Sequence, residues 1–168
     1  MKIFKTISFL LAFGIFMYSC SQSTQDVLVE AESFQSKGGW KVDPQFVEAM
    51  GSPYLLAHGL GEPVENASTQ FVFPATGKYH AWARTKNWVP GEWEAPGKFR
   101  IIVNGSELGN ILGTEKGWNW EYAGEINIKD TSATVELNDL SGFEGRCHAL
   151  YFSTTKETPP NSGDCLAQ

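Results

Sequence analysis

Three cysteines, three histidines and no Cys-x-x-Cys pair leave this 168-residue sequence without the usual ligand pattern of a structural zinc site. It has no Gly-x-Gly-x-x-Gly turn, so the loop that cradles a dinucleotide pyrophosphate, FAD included, is missing. No serine sits in a Gly-x-Ser-x-Gly elbow beside His58, His80 or His148, which argues against a serine hydrolase. Basic runs are absent too. Helical periodicity is confined to one turn near Phe46 to Met50.

The one long apolar run lies at the start. Lys2 and Lys5 precede Ile7 to Met17, a stretch broken only by Ser8 and Gly14. It falls short of the roughly 20 residues that span a bilayer and reads as the apolar core of a signal peptide. Met-Tyr-Ser-Cys, ending at Cys20, resembles the bacterial lipobox, which implies cleavage before Cys20 and lipidation of its thiol. An ordinary secretory signal with an incidental cysteine is the alternative. The division expected is residues 1–19 signal, 20–26 lipidated cysteine and polar tether, 27–155 folded module and 156–168 linker-like tail. The expected location is the cell envelope, lipid-anchored to the outer membrane on its periplasmic face or at the cell surface.

Without Lys2 and Lys5, the 13 basic residues fall to 11 against 19 acidic ones, a formal charge of −8. A chain this acidic is a poor ligand for nucleic acid or for an anionic membrane surface, so the lipid would be the sole membrane contact. In an oxidising compartment a Cys147–Cys165 disulfide would persist. Cys147 lies in the apolar run Cys-His-Ala-Leu-Tyr-Phe, however, and buried small-hydrophobe packing explains it equally well.

Period-two segments dominate the rest. Val27 to Glu32, Tyr54 to His58, Ser68 to Phe73, Lys78 to Lys86, Lys98 to Asn104, Tyr122 to Lys129, Ala133 to Leu140 and Cys147 to Thr154 read as strands. In one of them Tyr79, Ala81 and Ala83 alternate with His80, Trp82 and Arg84, so that strand has two different faces. Turn residues separate the runs, among them Pro74 to Gly77 and an Asn104-Gly105 pair suited to a type I′ hairpin. About eight short strands with these turns predict an all-β protein, an antiparallel β-sandwich.

Several segments together resemble the galactose-binding-like jelly-roll carbohydrate-binding modules, the groups numbered six and thirty-five. Val27 to Glu32 followed by Gly38-Gly-Trp40 is similar to their first strand. Gly77 to Thr85 resembles their Gly-x-Tyr-x-Val-Trp-Val-Arg-Thr strand, Phe99 to Gly105 their Phe-x-Val-x-Val-Asn-Gly strand, and Gly145 to Phe152 their closing strand. Met50 to Gly59 and Gly142 to Cys147 are similar to the N-terminal module of secreted FAD-dependent oxidoreductases and xanthan-lyase-like proteins. The resemblance covers Val27 to Thr154. It implies a non-catalytic carbohydrate-binding module with a polysaccharide partner. The alternative it implies is a structural or docking module of a larger secreted oxidoreductase or polysaccharide lyase.

Six tryptophans supply the flat apolar faces on which a sugar ring stacks, but the same rings fill sandwich cores. Trp40 and Trp82, placed in or beside strands, are assigned to packing. Trp88 and Trp93 stand in a Pro- and Gly-rich loop, and Trp118 and Trp120 follow a Lys116-Gly117 turn, so these four are assigned to ligand binding at loop tips. Arg84, Asn87 and Asn119 are assigned as hydrogen-bonding partners of sugar hydroxyl or carboxylate groups. Glu30 and Glu32, two apart on an expected strand, share a face. The resemblance makes them ligands of a structural calcium, completed by an aspartate whose place His148 takes here. Glu92 and Glu94, the other close carboxylate pair, lie in the Trp-containing loop with nothing to raise a pKa, and no catalytic residue is assigned.

Overall fold

The computed structural model describes residues 25–87 and 96–160. Within them run β1 (Val27–Glu30), β2 (Lys41–Asp43), a helical turn α1 (Val47–Met50), β3 (Tyr54–His58), β4 (Ala67–Val72), β5 (Gly77–Thr85) and β6 (Phe99–Val103). β7 (Ser106–Glu107), β8 (Asn119–Ile128), β9 (Ser132–Asp139) and β10 (Phe143–Ser153) complete the set. The six-stranded sheet has the order β2-β3-β10-β5-β8, with β1 also paired to β10; the four-stranded sheet has the order β4-β9-β6-β7. All pairings are antiparallel. β2 and β7, three and two residues long, are too short to carry a period, which is why the sequence shows fewer strands.

The alternation in β5 sorts its side chains to the two faces of the large sheet. Tyr79, Ala81 and Ala83 join the core between the sheets with Val29, Leu55, Leu150 and Phe152, facing Ile101, Val135 and Leu137 of the small sheet. Trp40 belongs to that core, its ring edge-on to Phe99 at 5.6 Å. Asn104 and Gly105 both take positive φ, 49° and 76°, as the hairpin between β6 and β7 requires.

Two local departures bear on function. β1 stops at Glu30 and the chain tightens into a 3-10 turn over Ala31–Ser33, so Glu30 and Glu32 do not share a strand. The register of β5 against β8 shifts between Ala81 and Trp82, where Gly124 takes φ 142°. A Cβ there would come within 3.1 Å of the Gly109 nitrogen, so the bulge is built on a glycine.

Arg146 is 1% exposed and stands on the Gly142-to-Cys147 segment. Its guanidinium donates to the Glu144 carboxylate at 2.6 Å and to the Glu144 carbonyl at 2.9 Å. The same carboxylate meets His58 Nδ1 at 2.5 Å. The buried charge is therefore paired, as it must be. Cys147 is fully buried, and burial pushes its thiol well above the ordinary range; Cys165, its expected partner, lies outside the described residues.

Candidate functional site

The outer side of the large sheet carries the chemistry. Trp118, Trp120 and Tyr122 occur at alternate positions along one chain segment, so once β8 begins they project to one side. Trp120 and Tyr122 pair with Arg84 and Trp82 on β5, and Tyr151 on β10 pairs with Trp82 from the other flank. Trp82, Trp120, Ala149 and Tyr151, with Leu28 and Tyr122 against them, form an apolar cluster separate from the core between the sheets.

Trp118 ends that row in an aromatic corner. Its ring lies 5.1 Å from Tyr54, 5.9 Å from Phe46 and 6.2 Å from His148, meeting each edge-on. Phe46 stacks on Tyr54 at 5.9 Å, and the Lys86 ammonium sits 4.0 Å from the Phe46 ring centre. α1 ends on Gly51 in the left-handed conformation at φ 88°, a turn that leads through Ser52 into β3. Tyr54 donates to Asp43 at 2.5 Å, and burial with that hydrogen bond raises its phenol pKa.

Beneath the corner lies a polar relay. Ser52 Oγ donates to Glu30 Oε2 at 2.9 Å and lies 2.9 Å from His148 Nε2. A hydroxyl has one proton, and here it goes to the carboxylate. Neutral His148 must therefore carry its hydrogen on Nε2 and present Nδ1 as a bare acceptor. That Nδ1 is buried with no partner among the described residues, and so is Trp118 Nε1. The corner thus holds a half-buried flat ring over two buried polar atoms that no described residue satisfies. Burial lowers the pKa of His148, and the Arg84 guanidinium lowers it further against the opposing pull of Glu30. Burial likewise raises Glu32 and depresses Arg84 and Lys86.

The residues assigned from sequence land as follows. Trp118 is half-buried in the corner, and Arg84 is 8% exposed beside Glu30 and Trp120. Asn87 bridges to Lys116 at the end of β5. Asn119 spends its amide on the Lys116 carbonyl at 2.7 Å, bracing the turn. Trp120 is not at a loop tip: it lies within β8, 7% exposed, with its indole N–H on the Pro160 carbonyl at 3.1 Å. Trp82 is buried as expected, but on the outer face. Trp88 and Trp93 lie outside the described residues, as does Cys20. Sequence reasoning missed Ser52, Phe46, Tyr54 and Lys86; their only signal was membership of three segments, Phe46 to Met50, Met50 to Gly59 and Lys78 to Lys86, that were singled out for other reasons.

Calcium takes six to eight oxygen ligands. The structure offers Glu30, Glu32 and Ser52 here, with an imidazole as the fourth side chain and the Arg84 cation beside Glu30. Among the described residues no three acidic, histidine or cysteine side chains gather as a metal site. This donor set does not fit calcium. A polar cavity of about 350 Å³, lined by Gln35, Ser36, Ser68, Thr69, Gln70 and Thr134, offers hydroxyls and amides but no aromatic ring.

No family model and no curated protein matches the chain. Solved structures do. A family 35 carbohydrate-binding module from Clostridium thermocellum aligns with a TM-score of 0.61 at 18% identity, over 77% of this chain and 98% of its own. The C-terminal family 6 module of the laminarinase LamC from Zobellia galactanivorans aligns at 0.57 and 20% identity, over 77% and 99%. A family 36 module in complex with calcium and xylotriose aligns at 0.53 and 14%, over 76% and 99%. The chain spans only 29% of the length of a Podospora anserina mannanase, of which it covers a part at 16% identity and a TM-score of 0.61. At these identities the likeness establishes the fold: the jelly-roll sandwich of the carbohydrate-binding modules.

Proposed function

We propose that this chain is a non-catalytic carbohydrate-binding module that holds a polysaccharide against the Trp118 corner. The observation that carries the reading is the half-buried Trp118 ring, set among Phe46, Tyr54 and His148 on the outer side of the large sheet. A sugar presents an apolar C–H face for such a ring and hydroxyls that both donate and accept. Arg84 and Lys86 stand near enough to select for a carboxylate-bearing sugar. The jelly-roll fold shared with sugar-binding modules supports the reading at the level of architecture. Asn87 and Asn119 frame the proposed platform, and Trp88 and Trp93, assigned to ligand binding from the sequence, lie outside the described residues.

Cys20 is proposed as a lipid anchor that holds the module at the cell envelope. Glu30 and Glu32, expected as calcium ligands, serve on this reading as part of the Ser52–His148 relay. The alternative role, a docking module for a larger secreted oxidoreductase or lyase, draws support from the mannanase, of whose length the matching unit is a minor part.

The test is affinity electrophoresis of the purified chain through gels cast with neutral and acidic polysaccharides. The reading expects retardation by at least one glycan, loss of it in Trp118→Ala, and no release of reducing sugar. No retardation by any glycan in the panel would sink it.

A further inference from the structure

Residues 154–160, which follow β10, do not leave the domain. They cross the outer face of the large sheet. Thr155 is tied back by its backbone N–H to Ser153 Oγ at 3.1 Å. The Lys156 ammonium then lies 4.7 Å from the Tyr122 ring centre. Glu157 and Thr158 are exposed, Pro159 is buried, and the Pro160 carbonyl accepts the Trp120 indole N–H. Beneath this segment lie Trp82, Trp120, Tyr122 and Tyr151, with neighbouring ring centres 5.2 to 6.4 Å apart. The row is continuous with Trp118, two residues before Trp120.

The covered cluster is unlike the core between the sheets. Its rings carry polar handles at the rim: Tyr122 Oη meets His80 Nδ1 at 2.9 Å, and Tyr151 Oη donates to Asp26 at 2.9 Å. Rings of this kind, apolar on the face and hydrogen-bonded at the edge, suit a wet surface that can also be covered. The cover is light. Among the described residues an indole hydrogen bond and an ammonium over a ring anchor it, with Pro159 buried, and the residues between the anchors face solvent. Proline lowers the entropy lost when such a segment docks, because its φ is already fixed near the extended value.

We propose that residues 156–160 are a releasable strap, which masks a second aromatic subsite continuous with the Trp118 corner. With the strap in place, the ligand platform ends at Trp118. With it displaced, Trp120 and Tyr122 lengthen the platform along β8, so a longer glycan chain gains contacts that a short one cannot reach. The subsite rests on the carbohydrate reading above; the strap itself does not.

The test uses the full chain and the variant Pro159→Ser/Pro160→Ser, which removes the preset backbone and the buried ring while leaving every residue of both aromatic clusters in place. Acrylamide quenching of tryptophan fluorescence, without sugar, reads the strap alone. Titration with short and long oligosaccharides of a glycan that retards the native chain reads the subsite. The expected result is stronger quenching in the variant at an unchanged circular dichroism spectrum. Affinity for the long oligosaccharide should rise several-fold, with that for the short one unchanged. Unchanged quenching overturns the strap. Stronger quenching with no gain for the long oligosaccharide overturns the subsite. Stronger quenching in a chain that binds no glycan in either form overturns the carbohydrate reading and leaves the strap supported.

Discussion

His148 shows how one side chain settles the chemistry of its neighbours. Where the resembled modules place an acidic calcium ligand, an imbalance of charge would need a cation. Here the imidazole donates to Ser52, Ser52 donates to Glu30, and Arg84 stands alongside. This charge balance leaves the fold no need of calcium at Glu30 and Glu32. A structural ion bound at 100 times its dissociation constant would add about 2.7 kcal/mol, hence several degrees of melting temperature for a domain of this size. Calorimetry in EDTA and in millimolar calcium should give the same melting temperature; a rise of several degrees with calcium contradicts the assignment. The same residue predicts a pH dependence. Folding depresses the His148 pKa below its ordinary 6.5, so its contribution is fully present above that value and is lost as pH falls below it. Glu32, raised by burial, acts with the opposite sign, and Glu30 and Arg84 complete the charged groups around the ring. The stability difference between native chain and His148→Gln isolates the histidine: it should shrink from pH 7 to pH 5. A difference independent of pH would refute the neutral imidazole. The departure at position 148 was visible in the sequence. Ser52, which makes sense of it, lies 96 residues away and carried no signal.

Among the elements, β5, β8 and β10 build the site, and their alternation was legible because both faces of β5 are buried by different means. Core residues pack on one side and Trp82 on the other, under the aromatic row. Trp120 was misplaced for a physical reason. The Lys116-Gly117 turn before it suggested a loop tip, whereas β8 begins at Asn119 and residues 156–160 cover the ring. Nothing in Pro159-Pro160 announces docking, since the same residues suit an extended linker. Trp82 and Trp118 should behave differently on truncation. Trp82→Ala opens a buried cavity and should cost about 3–5 kcal/mol in a urea denaturation. Trp118→Ala, at a half-buried corner, should cost clearly less. Equal losses would mean that Trp118 is a packing residue.

At the scale of the whole molecule, the antiparallel sandwich was readable because period-two segments and turn residues recur along most of the chain, and its jelly-roll form came from the resemblance. The lengths of the shortest strands and the outer-face cluster were not, since a strand pattern tells that two faces exist and not what covers the second. The proposed anchor is independent of all this. Cells fed a labelled fatty acid should label the native chain and not Cys20→Ser, and equal labelling would exclude Cys20 as the attachment point.

Sugar binding by this chain turns, on the proposed function, on the Trp118 indole ring at the outer side of the large sheet. Calorimetric titration of the native chain and of Trp118→Ala with a glycan that retards the native chain, beside a thermal melt of each, addresses it directly. A ring acting as an interface anchor is worth about 2 kcal/mol or more, so affinity should fall at least about 30-fold, with a loss of stability well below that of Trp82→Ala. Unchanged affinity in a folded Trp118→Ala chain would contradict it.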